Sequence, residues 1–252
     1  DNANAPAAIQ QQNDAIKEID RAICEIDDWI NEILKKKRKK RLLRLIDRLK
    51  SLVWSVKKIY RSTCKLDEKK GWWMRHHLKQ IAELAERMGQ VRRESGKLVQ
   101  LMEQEGAVVF PGMLRRAMFD MEEVEELLGD HDTGAYTQQR EQDIIRVLEL
   151  LIAALKSEDN SLPGSPRSPT QQRPERLPLV NFVAELKMLR NMQREAYEQT
   201  KQLDEAIKAA RKQGRKGLNW LHKRMMRRLA HYQSLLVELT EKMYKRMKER
   251  AR

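Results

Sequence analysis

Metal or nucleophilic chemistry in this chain would have to be built from five histidines (His76, His77, His131, His222, His231) and two cysteines (Cys24, Cys64). Zinc sites on helices use His at i, i+4 or Cys-x-x-Cys pairs, because those spacings aim two donors at one point. Neither spacing occurs. His76 and His77 are adjacent, so on a helix they should point about 100° apart and are not expected to chelate one ion. His77 falls on an apolar helical seam, where a satisfied core histidine is the expectation. His131, between Asp130 and Asp132, could catch a metal weakly, but a plain turn accounts for it better. No Gly-x-x-x-x-Gly-Lys-Ser/Thr cradle for phosphate exists; Gly112, Gly129, Gly134, Gly164, Gly214 and Gly217 sit singly in expected turns. The Glu122-Glu123 and Glu125-Glu126 pairs crowd one acidic helix, where a solvated or partner-facing surface explains them better than acid–base work. The methionines fall mostly on seams, as adaptable filler. The expectation is a non-enzymatic protein with no catalytic residue, no cofactor and no metal.

The elements that would carry such residues are all helices. Ile9, Ile16, Ile19, Ile23, Ile26, Ile30 and Ile33 recur three and four apart, a narrow seam that suits a facing helix and leaves little surface for a pocket. The first helix is expected from about position 8 to 70, a rod of roughly 90 Å at 1.5 Å per residue. Lys69 and Lys70 before Gly71 would end it, with the glycine free to turn left-handed. The seam changes phase midway, resuming at Leu42, Leu45, Leu49, Leu52, Val56 and Ile59. Between the halves stand Lys35, Lys36, Lys37, Arg38, Lys39, Lys40 and Arg41, which no buried seam can accept; the helix must cross solvent there or bend. A second seam runs through Met74, His77, Ile81, Leu84, Met88, Val91, Leu98 and Met102, ended by Gly106 and Phe110-Pro111-Gly112. A shorter acidic helix should occupy positions 113–128, with Met121, Val124 and Leu128 inward. After a turn with Asp132 or Thr133 as cap, the next helix carries Ile144, Ile145, Leu148, Leu151, Ile152 and Leu155. The last helix carries Leu221, Met225, Leu229, Tyr232, Leu236, Leu239, Met243 and Met247.

The fold class read from this is all-α: an elongated helical bundle with coiled-coil hairpins and one Pro/Ser-rich linker. Its expected parts are a disordered leader (1–8), the long helix with an antiparallel second helix (9–110), the acidic helix and its successor (111–156), a flexible linker (157–179) and a basic helical hairpin (180–252). Charged residues are 35% of the chain and aromatics 5%; the few strand and turn formers agree with helices. The net charge of +14 is segregated. Positions 35–61 hold 13 cations and one acid, positions 120–132 seven acids and no Lys or Arg, and positions 180–252 nineteen cations against eight acids. Such blocks can steer a partner, align subunits or keep exposed helices soluble, the last being the plainest reading. No apolar run is long enough to span a membrane. The opening Asp1-Asn2-Ala3-Asn4-Ala5-Pro6-Ala7-Ala8 would suit a mature start after signal-peptide cleavage.

Two segments carry a resemblance. One is Asp132-Thr133-Gly134-Ala135-Tyr136-Thr137-Gln138 with Asp143-Ile144-Ile145 and the Leu148, Leu151, Leu155 run. The other is Leu177-Pro178, then Ala184-Glu185-Leu186-Lys187-Met188-Leu189-Arg190, Met192-Gln193 and Thr200. Together, across roughly positions 113–205, they resemble a group of uncharacterised exported helical proteins of planctomycete bacteria. The resemblance implies a helical fold and an exported, periplasmic location, with a cytoplasmic one still open. It brings no activity and no binding residue.

Cys24 and Cys64 lie 40 residues apart on one expected helix, roughly 60 Å along it, while a disulfide needs Cα atoms within about 7 Å. No bridge within the chain is expected. Three functions fit. The first is a structural or scaffolding protein that associates through its coiled-coil seam, with itself or with a helical protein partner. The second is a polyanion or membrane-surface binder using the basic segments 35–61 and 208–228, with Lys35, Lys36, Lys37, Arg38, Lys39, Lys40, Arg41, Arg224, Arg227 and Arg228 as candidates for the anionic partner. Sequence-specific nucleic-acid binding is not expected, since no base-reading motif is present. The third is an accessory subunit of a cell-envelope assembly.

Overall fold

In the computed structural model, which describes residues 5–160, 180–212 and 220–251, helix α1 is Ala5–Asp67, 63 residues without interruption. It therefore runs straight through the seven-cation run. Two expectations shift at its edges, and one side chain lies outside the described residues. Residues 5–8, expected as leader, already belong to the helix. Ile9 lies on a stretch whose side chains are outside the described residues. The helix ends at Asp67 and gives way to a short 3-10 turn, Lys70–Trp72. Gly71 is not left-handed; the Trp73 indole instead donates to the Leu66 carbonyl at 2.8 Å and closes the end of α1.

Helix α2 (Arg75–Gln104) returns along α1, and its second-seam residues Ile81, Leu84, Met88, Val91, Leu98 and Met102 are buried. Met74 and His77 are not part of that core. They form the N-terminus of α2, where His77 Nδ1 accepts the Met74 N–H at 3.1 Å. A seam cannot bury residues of the first turn when no facing helix reaches that far. Gly106, at φ 78°, ends α2: its N–H reaches the Glu103 carbonyl and the Ala107 N–H reaches that of Met102, a left-handed cap that glycine adopts without a Cβ clash.

Helix α3 is Val109–Gly129, so Phe110-Pro111-Gly112 opens this helix rather than ending the previous one, and Gly129 is its last residue rather than a turn. Proline is tolerated there because N–H groups of a first turn have no intrahelical partner. The end of α3 repeats the left-handed cap with an unusual residue. His131 sits at φ 60°, its N–H on the Leu128 carbonyl and the Asp132 N–H on that of Leu127. A side chain in that conformation costs about 1 kcal/mol. His131→Gly is expected to stabilise the protein by roughly 1 kcal/mol, seen as a raised thermal midpoint; an unchanged or lowered one would show that the imidazole does something the backbone does not require.

Helix α4 (Ala135–Asn160) follows. It keeps residues 157–160, expected as linker, in helical form; the rest of that linker, with the Gly214 and Gly217 turn further on, lies outside the described residues. Thr133 does not cap α4 through its own hydroxyl. It donates to Asp67 Oδ1 at 2.8 Å, while Gln138 Nε2 donates to Asp67 Oδ2, so the start of α4 is tied to the end of α1. Asp132 Oδ1 accepts the Gly134 N–H instead.

From Leu42 onward, α1 packs with α2, α3 and α4 as an up-down-up-down four-helix bundle. The second α1 seam (Leu42, Leu45, Leu49, Leu52, Val56, Ile59) and the α4 set (Ile144, Ile145, Leu148, Leu151, Ile152, Leu155) share one continuous core with α2 and α3. Helices α5 (Phe182–Lys212) and α6 (Trp220–Ala251) form a hairpin that docks on α3. At the crossing of α3 and α6, Gly112 lets the helices approach so closely that a Cβ there would lie 2.5 Å from a Leu239 methyl. Among the described residues there is no strand.

One buried acid sits inside the bundle with half its hydrogen-bonding capacity unused. Glu141 Oε1 lies 2.7 Å from the Thr63 hydroxyl, and its Oε2 is buried without a partner. Burial pushes its carboxyl up to about 8, against the Thr63 hydrogen bond. Thr63 also donates to the Ile59 carbonyl at 3.2 Å, so its single proton is shared between that carbonyl and an ionised Glu141, whereas a protonated Glu141 can donate to the Thr63 oxygen and leave the threonine proton to Ile59. The folded value lies above the unfolded one near 4.5, so the folded state holds the proton more tightly. The contribution of Glu141 to stability is then full below about pH 4.5 and falls until about pH 8, by roughly 4 kcal/mol. Glu141→Gln, which keeps the shape and cannot ionise, should remove that loss; urea unfolding at pH 5 and pH 9 checks it, and an equal decline in both proteins would refute it.

Candidate partner-binding seam

The N-terminal half of α1 projects from the bundle. Residues 5–37 span roughly 50 Å at helical rise, and no side chain described in that stretch is buried. Ile16, Ile19, Ile23, Ile26, Ile30 and Ile33 are 40–59% exposed, and Trp29 beside them is 71% exposed. They share one face because 3.5-residue spacing nearly matches the helical turn. Covering the open half of each isoleucine would contribute about 1 kcal/mol. A stripe of this length is unusual on a protein that stays alone in water. The outer faces of the rod carry short-range ion pairs, Lys17 with Asp14 at 3.1 Å and Arg21 with Glu18 at 2.7 Å.

The cationic candidates divide. Lys35, Lys36, Lys37, Lys39 and Lys40 are exposed, Lys36 reaching Glu32 at 3.4 Å. Arg38 is buried, and Arg41 is half-buried with its Nε 3.1 Å from Glu105, the residue that follows α2. So part of a run expected to refuse burial does enter the bundle edge, because arginine can carry its charge onto a facing carboxylate while its stem packs.

Arg224, Arg227 and Arg228 do not form a free basic face. Arg228 is buried and grips Asp120 with Nε–Oδ1 at 2.5 Å and Nη2–Oδ2 at 2.9 Å, with Asp143 of α4 at 3.5 Å. Arg224 reaches Glu123 at 2.7 Å and Glu126 at 3.0 Å. Of the three only Arg227 stays exposed. The acidic face of α3, expected to be solvated or partner-facing, thus meets the basic arm of the same chain. Burial works against the Arg228 charge, but Asp120, Asp143 and Glu123 outweigh it and hold the guanidinium protonated. On the neighbouring contact Arg116 donates twice to Glu195 of α5, at 2.8 and 2.9 Å, and lies over the Tyr232 ring. Burial alone would raise the Glu195 carboxyl, yet Arg116 brings it below the ordinary range. Glu185, also of α5, accepts the N–H groups of Val108 and Val109 with one oxygen and Arg246 with the other, so it caps α3 from outside.

The contact between α3, α4 and α6 gathers three carboxylates and three guanidiniums. Asp120, Glu123 and Asp143 face Arg140, Arg224 and Arg228, with the Tyr136 hydroxyl donating to Glu123 at 2.8 Å. Sequence reasoning missed the network. Its signal was present as Arg224 and Arg228 one helical turn apart, matching Asp120, Glu123 and Glu126 in antiparallel register.

The histidine pair also differs from expectation. The rings of His76 and His77 converge, with Nε2 atoms 3.0 Å apart and centroids at 3.8 Å. Since His77 Nδ1 accepts the Met74 N–H, the neutral ring carries its proton on Nε2 and donates it to His76. Loss of hydration first, then the neighbouring His76 and Lys69, lower the His77 value from its ordinary range. An open surface depression nearby is lined by Met74, Arg75, His76, Leu78, Lys79 and His131. Among the described residues, no group of three or more His, Cys, Asp or Glu is arranged to hold a metal ion, and no helix is long and apolar enough to cross a membrane. Cys24 is exposed, Cys64 half-buried, and both are free. Comparison with protein-family models, curated proteins and solved structures found no match.

Proposed function

We propose that the protein is a non-enzymatic scaffold that associates through the α1 seam, with itself or with a helical partner. The observation that carries this reading is the row of exposed isoleucines on a helix that continues well beyond its own bundle. The bundle completes its core from Leu42 onward, so the projecting half adds nothing to the fold it leaves. Light scattering at low and high salt tests the reading. An assembly larger than one chain that survives high salt is expected, because apolar burial is not screened; a single chain at every concentration would refute it. An exported, periplasmic location, as the planctomycete resemblance implies, belongs to this reading.

A second reading keeps one specific support, the exposed Lys35, Lys36, Lys37, Lys39 and Lys40. They could hold an anionic polymer or lipid surface by counterion release. With Arg224 and Arg228 occupied by α3 carboxylates, this site is confined to the neck of the projecting helix. Retention on heparin that is lost steeply with salt, and lost in a variant with these five lysines replaced by glutamine, is its test.

A further inference from the structure

We infer that the projecting half of α1 closes on two further copies of itself, as a parallel three-stranded coiled coil that ends at Lys37. The inference rests on the scaffolding reading above and names the occupant of its seam.

The register argues for three strands. With Ile9 at the first core position, a, of a seven-residue repeat, positions a fall at Ile9, Ile16, Ile23 and Ile30 and positions d at Gln12, Ile19, Ile26 and Ile33. Seven of eight core positions are isoleucine, and both classes of layer carry it. In a parallel pair the d layer aims each Cα–Cβ bond straight at the facing helix, which suits leucine and crowds a β-branched side chain in its preferred rotamer. Three-stranded packing makes the a and d layers alike and accepts isoleucine in both. Gln12, the one polar core position, is the kind of residue that fixes a register.

The flanking residues argue for copies of the same chain, all pointing one way. Asp20 and Asp27 take the e positions, and Ala15, Ala22 and Trp29 the g positions. In a parallel assembly each g residue faces the e residue five positions on in the next strand. Asp20 then faces Ala15, Asp27 faces Ala22, and Trp29 lies against Leu34, which gives the exposed indole an apolar neighbour. Up to Leu34 no like charges meet; Lys36 opposite Arg41 does so only where the coil ends. An antiparallel pair would bring Asp20 against Asp20 of its neighbour. A different helical protein would have to place small uncharged residues opposite Asp20 and Asp27, in this same register, for a comparable fit.

The coil has a built-in end. The next core positions are Lys37 and Lys40, and three lysines around one axis repel. At the same height Arg38 is buried and Arg41 meets Glu105, so the helix leaves the shared axis where it joins its own bundle. Residues 9–36 make four heptads, roughly 40 Å.

The test is the molar mass of the full chain, with a spin-label distance for direction. Three times the 29.8 kDa of one chain is expected. Ile19→Leu/Ile26→Leu/Ile33→Leu, which places leucine at d under isoleucine at a, should lower it to twice that value. For direction, Lys35→Cys is labelled in a Cys24→Ser/Cys64→Ser background; a parallel coil gives one short separation, whereas an antiparallel one displaces the labels by about 40 Å along the axis. A wild-type dimer or tetramer, a triple-leucine variant that keeps three chains, or the long separation would overturn this inference and leave self-association standing. A single chain throughout would overturn both.

Discussion

Ile23→Asp/Ile26→Asp is expected to reduce the protein to single chains of 29.8 kDa while leaving its bundle intact. Both residues lie mid-seam on the projecting helix and are more than half exposed, so the isolated chain loses no internal contact when they are replaced. In an assembly each substitution removes about 1 kcal/mol of apolar burial. It also sets an aspartate into a water-poor layer beside its own copies, a further loss of about 2 kcal/mol or more. Over two layers the association constant should fall at least about a thousandfold. Arg21→Asp, on the outer face of the same helix, serves as the control and should leave the mass unchanged. The thermal unfolding of the bundle should be the same in all three proteins. A double variant that keeps the wild-type mass would mean that the seam is not what holds the chains together.

How much of this was legible beforehand follows from what each kind of interaction leaves in a sequence. Apolar periodicity marks a buried face, so Leu42, Leu45, Leu49, Leu52, Val56 and Ile59, the α4 set and the middle of α2 were read residue by residue, and all are buried. Periodicity does not say whether a seam finds a partner within its own chain. The isoleucines of α1 have a stronger pattern than the leucines that follow, yet they are the exposed set, because α2 and α4 pack along only the second half of the helix. Helix ends were less legible. A glycine can be a left-handed cap, as Gly106 is, or sit inside a helix, as Gly112 does, where its role is to make room for Leu239 of α6, a neighbour 127 positions away in the sequence. Charge blocks were legible as blocks, but their meaning turned on which helices met. The acids of α3 and the arginines of α6 looked like two surfaces for outside partners, and the hairpin folds one onto the other. Glu185 left no local signal, since it caps a helix 76 residues away in the chain.

Arg228→Met should destabilise the docking of the α5–α6 hairpin by about 3–5 kcal/mol, because it leaves Asp120 buried with its main counter-charge gone. Methionine matches the arginine stem in volume, so the loss is electrostatic rather than a cavity. Asp120→Leu/Arg228→Met removes both charges together and should recover most of that loss, since a buried pair replaced by packed apolar groups is often neutral. The loss should be local. The hairpin joins the core of the bundle mainly through α3, whereas α1 to α4 pack on one another far more extensively, so in Arg228→Met the amides of α5 and α6 should exchange about a hundredfold to several-thousandfold faster. Amides at the centre of α1 and α2, from Leu42 and Ile81 onward, should exchange at nearly the wild-type rate. A loss spread evenly over all six helices would show that hairpin and bundle unfold as one unit. A loss below about 1 kcal/mol would show that Asp120 finds another counter-charge in Arg140, which already pairs with Asp143 at 2.8 Å. Either result separates a charge network that fastens one element to another from one that merely fills the space between them.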